Sequence, residues 1–317
     1  KSIRKDIMEL ISLIKQYSLI EVSQSTSPKG TDKKGYITMQ ELIQQIVNSL
    51  IPISEKKKLI EEAAQVLKIN FSSQSDKNVE AILKDNKPLL NVIQLSREAH
   101  NLDYHTPDLS QIRIRALDVL VGLIRDFPVA REIIAHLAKD LEEGVFVSKE
   151  DEVLYYANMA LYSAIDCPDY DKAIAYGVKA LKLVDSTAGL HEERLRIISN
   201  LAQHHSLTGL VEECEKYIKM GDLCFHPIKS DAYKALFLLA KNAFLLDKRA
   251  FQEIIDLVQE NKDLLERQKF YPSMRYFVLS QLAEAWFRKG HIEEARKTLE
   301  AAEKCGHEFH GENEQNL

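Results

Sequence analysis

A stretch near the end of the chain, Leu282–Ala302, has the pattern of two helices joined by a tight turn. Gly290 occupies the turn, because glycine adopts the left-handed backbone angles that end a helix at little cost. Trp286 and Leu299 are large enough to fill the space between the helices. Small side chains let two helices approach closely, and they occur at Ala283, Ala295 and Ala302. The pattern predicts a helical hairpin, which cannot bury its apolar seam alone and needs neighbouring hairpins.

Three earlier segments match this hairpin when their small residues are aligned with Ala283. The aligned residues are Ala160, Ala202 and Ala240, and the four alanines are spaced by 42, 38 and 43 residues. The second segment repeats the internal offsets of the last one through Leu201, Gly209 and Cys214. Stacking of such hairpins buries a continuous seam. The sequence therefore predicts an all-α fold, a right-handed α-solenoid whose first helices line a concave face.

Composition agrees with an almost entirely helical chain. Only 11 Gly and 8 Pro interrupt 317 residues, and the apolar residues follow a helical period. The net charge of −6 argues against a globally basic nucleic-acid binder. Four cysteines without close pairing indicate reduced thiols, and no apolar run approaches the length of a membrane span. We therefore expect a cytoplasmic protein without a membrane segment.

The pattern divides the chain into an N-terminal helical region at 1–106, helical repeats at 107–305 and a polar tail at 306–317. In the first region, helices are predicted at Ile3–Ile20 and from Thr38 to about Leu50. Between them lie a polar loop at Ser23–Gly30 and a short extended segment at Tyr36–Ile37. Ser148, followed by Asp151, resembles a capping box that opens the first of the four aligned segments.

The alignment of the four segments also predicts which residues on the first helices face a ligand. Amides recur among these positions, and an amide both donates and accepts hydrogen bonds, so a row of amides can hold an extended peptide backbone. The alternative is an ordinary solvated helix face. The predicted peptide-groove residues are Asn158, Arg196, Asn200, Gln203, Lys241, Asn242, Phe277, Gln281 and Arg288.

Several short patterns could indicate a metal, but none has a complete ligand set in the sequence. The segment Gly30–Glu41 lacks the oxygen ligands of a calcium loop. His100 and His105 have no Cys or carboxylate partners at ligand spacing, so they are interpreted as surface residues. The tail group around Cys305 lacks a fourth ligand. We expect no metal and no cofactor, and no phosphate loop or nucleophile motif indicates an enzyme.

The hairpin pattern resembles the tetratricopeptide repeat over roughly Asp151–Lys304, although its spacing exceeds the usual period of about 34 residues. A weaker, whole-chain similarity exists to the peptide-pheromone receptors of Gram-positive bacteria and their phages, with the arbitrium receptors the most similar. It rests on Leu42–Leu67, Asn78–Glu80 and Leu210–Tyr217. That resemblance implies a peptide bound in the groove and a consequent change in DNA binding or in another protein contact. A DNA-binding helix-turn-helix would have to lie within Ile3–Thr38, where the Ser-rich loop fits poorly.

Two functions remain open from the sequence. The first is a binding protein that holds a short peptide or an extended protein segment on its concave face, acting as a peptide-signal receptor that regulates transcription. The second is a scaffold subunit whose convex or terminal surfaces contact a larger assembly. Homodimer formation and DNA binding both stay open.

Overall fold

The computed structural model describes residues 20–25, 34–39, 51–71, 87–146, 148–166, 168–267 and 272–314. The chain forms two compact units, Lys1–Ile60 and Glu61–Leu317, which are described separately.

The first unit contains a β-hairpin. Strand β1 (Ile20–Ser25) pairs antiparallel with β2 (Lys34–Met39), and Val22 lies opposite Ile37. The extended segment at Tyr36–Ile37 is confirmed, whereas Ser23–Ser25, predicted as the start of a polar loop, are part of β1. β-branched residues stabilise cross-strand pairing, which explains why Ile20 and Val22 extend the strand into a segment that reads as a loop. Ile20 was predicted to end a helix from Ile3, and Thr38 was predicted to cap a helix to about Leu50, but the two residues lie in β1 and β2 instead. The rest of both predicted helices lies outside the described residues.

The remaining described elements are helices. After α1 (Ile53–Phe71), the second unit continues with α2 (Lys87–Asn101), α3 (Pro107–Val119) and a π-helical turn (Leu120–Ile124). The later helices are α4 (Phe127–Glu142), α5 (Lys149–Ile165), α6 (Tyr170–Asp185), α7 (His191–Leu207), α8 (Val211–Phe225), α9 (Asp231–Asp247), α10 (Phe251–Glu260), α11 (Lys262–Arg267), α12 (Pro272–Arg288) and α13 (Ile292–Glu314). Among the described helices, none combines the length and the apolar content that a bilayer span requires.

Side-chain caps explain where several of these helices begin. Ser148 accepts a hydrogen bond from the Asp151 amide, so the capping pattern predicted from the sequence is confirmed. Thr106 caps α3 in the same way and Asp126 caps α4, each followed by a proline that suits the first turn. These caps fix the register at which each hairpin starts.

The predicted hairpins are present and stacked, which confirms the all-α solenoid. The pairs α5/α6, α7/α8, α9/α10 and α12/α13 correspond to the four aligned segments. Their aligned residues are all buried: Ala160, Ala202, Ala240 and Ala283. Gly209 and Gly290 have φ angles of 75° and 82°, the left-handed conformation that the turn pattern requires. The sequence repeat therefore marks both the seam and the turns.

The first helices form a layer, which we call the first-helix layer. It consists of α3, α5, α7, α9 and α12, each in contact with the next. The second helices α6 and α8 bridge successive first helices, because α6 contacts both α5 and α7, and α8 contacts both α7 and α9. The central first helix, α7, is consequently surrounded by protein.

Close packing between hairpins makes Gly221 a sensitive position. A Cβ atom there would lie 2.0 Å from Cε2 of Phe237, whose side chain is buried in α9. We expect Gly221→Ala to lower the free energy of unfolding by about 1–3 kcal/mol, because the buried ring must shift to admit the added methyl group. Urea denaturation of this variant and of Gly221→Ala/Phe237→Leu tests this. Phe237→Leu is measured alone as well, because truncating this buried ring has its own cost. The loss caused by Gly221→Ala should be smaller in the Phe237→Leu background than in the wild type, and an equal loss in both backgrounds would contradict the contact.

The compact units do not end where the sequence pattern suggested a boundary. Helix α2 belongs to the second unit because it contacts α3 and α4, so the unit begins well before residue 107. Helix α13 continues to Glu314 through most of the predicted polar tail. Helical hydrogen bonding can continue through a polar sequence, because backbone groups satisfy one another regardless of side chains.

Candidate functional site

The centre of the first-helix layer is much more buried than the alignment of the four segments predicted. Eight consecutive residues of α7, Leu195–Ala202, are buried, and eight residues cover every side of an α-helix. Asn158 on α5 is likewise completely buried, and Arg196 and Asn200 on α7 are 6% and 7% exposed. These three predicted groove residues therefore lie between helices and not on an open surface. Their role in ligand binding stays a prediction.

Two of the predicted residues are joined in a polar network that crosses the layer. Arg196 donates from Nη1 to Asp118 Oδ1 on α3 at 2.6 Å and to Asn158 Oδ1 on α5 at 3.2 Å. Asn158 in turn donates from Nδ2 to the carbonyl oxygen of Ile114 at 3.3 Å. One guanidinium thus connects three successive first helices.

The network continues towards α9 through an acidic residue that the sequence analysis did not identify. Glu193 Oε2 lies 2.7 Å from Arg196 Nε, and the Tyr233 hydroxyl donates to Glu193 Oε1 at 3.2 Å. Both charged side chains are 7% exposed. A glutamate three residues before an arginine on a helix is the signal that predicts such a pair. The four-helix connection itself requires the tertiary structure.

Burial and charge act in opposite directions on this pair. Burial raises the pKa of the Glu193 carboxyl, and the nearby Arg196 opposes that shift. Burial alone would lower the pKa of Arg196, but Glu193 and Asp118 outweigh it and raise the pKa. The guanidinium is therefore always charged, and it holds the carboxylates that face it. This arrangement is suited to fixing the spacing of the helices.

Other predicted residues carry buried polar atoms that are not hydrogen-bonded within the described part of the chain. Asn242 on α9 is completely buried, and neither Nδ2 nor Oδ1 has such a partner. Gln203 Nε2 on α7 and Gln281 Oε1 on α12 are in the same situation. Gln281 Nε2 donates to the carbonyl oxygen of Leu239 at 3.3 Å, which holds α12 against α9. The layer therefore retains unused hydrogen-bonding capacity at α7, α9 and α12.

The remaining predicted residues lie nearer the surface. Lys241 forms an ion pair with Asp222 on α8 at 2.6 Å, so its ammonium is directed at a second helix. Arg288 pairs with Glu284 one turn earlier at 3.2 Å. Phe277 is 44% exposed and contacts Tyr276 edge to face. The positions of Phe277, Gln281, Glu284 and Arg288 follow helical spacing, so α12 carries one continuous mixed apolar and polar stripe.

Another exposed region lies on the second helices of the hairpins. Leu223 on α8 is 85% exposed and borders two surface grooves of about 610 Å³ each. One groove runs along α8 beside Met220, and the other lies where the ends of α6 and α8 meet the start of α7 around Arg194. A single exposed apolar side chain is ordinary on a protein surface, so this region is a candidate only because Leu223 borders both grooves. Leu223 could not be identified from the sequence, because residue type alone does not distinguish an exposed leucine from a core leucine.

Comparison with known proteins supports the fold but does not establish a family. No family model and no curated protein matches the chain. The structure is similar to a Signal Transduction ATPase with Numerous Domains protein with a tetratricopeptide repeat sensor from Pyrococcus horikoshii, with a TM-score of 0.58 and 16% identity. The match covers 95% of this chain and 40% of that one. BtubC from P. vanneervenii also matches, with a TM-score of 0.47 and 14% identity over 82% of this chain and 93% of that one.

Proposed function

We propose that the chain is a protein-interaction module that binds a short peptide or an extended protein segment on the first-helix layer. The observation that carries this proposal is the location of unused hydrogen-bonding atoms. Arg196 Nη2, Gln203 Nε2, both amide atoms of Asn242 and Gln281 Oε1 are buried without a hydrogen-bond partner among the described residues, and all lie on first helices. Each such group costs about 1–3 kcal/mol when left unpaired. A peptide backbone supplies both donors and acceptors that would pair them.

The exposed stripe of α12 is the entry point in this proposal. Phe277 offers an apolar anchor, and Glu284 and Arg288 offer opposite charges for the ends or side chains of a segment. Gln281 lies between them and reaches the buried interface with α9. Because a solenoid changes curvature through small rotations between repeats, a modest opening between α9 and α12 would bring Asn242 into reach of the bound backbone. The finer form of the proposal is a peptide-signal receptor.

The scaffold function is the second candidate, and the 85% exposure of Leu223 favours it. In that case a folded partner would contact the second helices around the α8 grooves, and the first-helix layer would serve only to hold the stack together. The two candidates predict different sensitive residues, so matched variants separate them.

Selection from a phage-displayed library of linear peptides tests the proposal. We expect selected peptides to bind the full chain and to lose about tenfold or more in affinity on Phe277→Ala, because removing an aromatic anchor costs about 2 kcal/mol or more. Leu223→Ala is the matched control, since it also truncates an exposed apolar side chain. Fluorescence anisotropy with the selected peptides measures both variants. Loss on Leu223→Ala with no change on Phe277→Ala would favour the scaffold function.

Transcription regulation is the most specific part of the proposal, and DNA binding tests it separately. A mobility-shift assay with native DNA fragments, run with and without a selected peptide, should show retention that changes when the peptide binds. Absence of retention under both conditions would remove the regulatory role and leave the peptide-binding role standing.

A further inference from the structure

Two helix ends and one connecting loop bring three metal-ligating side chains together. Asp103 and His105 lie in the loop between α2 and α3, and Glu143 lies at the end of α4. One ligand atom from each of the three side chains lies within 4.8 Å of the others. The sequence pattern predicted His105 at the surface without carboxylate partners. The structure contradicts this, because α4 supplies a carboxylate from 38 residues away and the imidazole is only 3% exposed.

The imidazole of His105 is held in one orientation by its buried nitrogen. Nδ1 lies 2.6 Å from Asp140 Oδ1, and Asp140 is completely buried. Arg113 Nη1 donates to both carboxylate oxygens of Asp140 at 2.8 Å each, so this carboxylate cannot turn away from the histidine. A carboxylate that orients a histidine in this way is the usual outer partner of a metal-binding imidazole.

The other ring nitrogen faces the carboxylate of Asp103. His105 Nε2 is buried and has no hydrogen-bond partner among the described residues, although it lies 3.5 Å from Asp103 Oδ1. Ligand atoms of a tetrahedral zinc site are separated by about 3.4 Å, so this pair already has suitable spacing. Glu143 is exposed, and its carboxylate lies within 4.8 Å of the other two ligand atoms.

We propose that Asp103, His105 and Glu143 bind a divalent transition-metal ion such as Zn²⁺ or Mn²⁺. One imidazole nitrogen and two carboxylate oxygens are suited to such ions. The position also favours a cation, because α2 and α4 both end there, and the C-terminal end of a helix carries partial negative charge. The ion would fasten the α2–α3 loop to the end of α4. The inference does not depend on the proposed peptide binding.

Lys139 offers the competing explanation for this cluster. Its ammonium forms an ion pair with Asp103, which satisfies that carboxylate without any metal. In a purely structural cluster, Lys139 would be the only cation involved, and its removal would leave two carboxylates repelling one another. If the cluster is a metal site, Lys139 competes with the ion for Asp103, and its removal should strengthen metal binding.

Calorimetric titration of the full, metal-free chain with Zn²⁺ alone tests the proposal. We expect saturable binding at one ion per chain, with an affinity that falls by at least about tenfold on Glu143→Gln or Asp103→Asn. Glu142→Gln is the matched control, because it removes the adjacent exposed carboxylate of the same helix and should leave the affinity unchanged. Lys139→Met should raise the affinity. Circular dichroism of each metal-free variant establishes that it is folded.

A second readout uses Co²⁺, whose visible absorption reports its ligands. The wild-type chain should show a Co²⁺ spectrum that Zn²⁺ displaces and that Glu143→Gln changes. The proposal is overturned if the wild type shows no saturable binding, or if Glu143→Gln and Asp103→Asn bind Zn²⁺ as tightly as the wild type. Binding that persists in those variants but disappears on Cys305→Ser would place the ion elsewhere and equally overturn it.

Discussion

Replacing Arg113 by methionine should lower the free energy of unfolding by about 3–5 kcal/mol, because the change leaves the buried carboxylate of Asp140 without its cation. Arg113 is fully buried and donates to Ser96 Oγ, the Ser96 carbonyl oxygen and both oxygens of Asp140. These contacts join α2, α3 and α4. His105 still faces Asp140 in the variant, which places the expected loss towards the lower end of the range.

Urea denaturation followed by circular dichroism measures this loss. Arg131→Met is the matched control, since Arg131 also pairs with an aspartate but is 68% exposed, so its removal should leave the free energy of unfolding nearly unchanged. Equal effects of the two substitutions would contradict the buried network. A small loss in the free energy of unfolding of Arg113→Met would show that the packing of α2, α3 and α4 does not depend on this charge pair.

Acidification from pH 7 to pH 5 should destabilise the fold by about 2 kcal/mol for each of two buried histidines. Burial lowers the pKa of His136 to about 4, with further lowering by Arg113 and His100 and opposition from Glu132 and Asp140. Burial also lowers the pKa of His204 to about 4, with a smaller contribution from His205. The unfolded chain binds these protons near pH 6.5 and the folded chain only near pH 4, so stability falls as the pH falls through this window.

His204→Leu provides the control for this pH dependence. The substitution places an apolar side chain of similar size beside Ala157 and Leu201 and removes one titrating group. Urea unfolding at pH 7, 6 and 5 should show a loss about 2 kcal/mol smaller in the variant than in the wild type. Glu193, whose pKa is raised by burial, acts in the opposite direction in both proteins. An unchanged pH dependence in the variant would show that His204 does not titrate as its burial requires.

The hairpins were predictable because the residues that specify them lie close together in the sequence. Gly209 and Gly290 mark turns, Ser148 marks a helix start, and alanines mark the positions where helices approach. All of these depend on residues close in sequence. A family of helical hairpins with such markers must stack, since no hairpin buries its own seam. The solenoid therefore followed from the sequence.

The surface of the first-helix layer was not predictable in the same way. Helical periodicity separates a buried face from an exposed one, but α7 is buried on every side, so polar residues such as Asn200 enter the interior too. Asn158 and Arg196 are buried together and are joined by a hydrogen bond between α5 and α7. The burial of His105 was not predictable for the same reason, because its partner Asp140 lies 35 residues away in the sequence. Such pairings depend on how hairpins stack, which no local pattern specifies.

Site-specific photo-crosslinking tests the central claim, that a peptide or protein segment binds along the first-helix layer. A photoreactive phenylalanine analogue is placed at Phe277 on α12 in one protein and at Leu223 on α8 in another, and each is irradiated with a selected peptide. Mass spectrometry then locates the crosslinks. The proposal predicts efficient, saturable crosslinking from position 277 and none from position 223. Crosslinking from position 223 alone would place the partner on the second helices and contradict the claim.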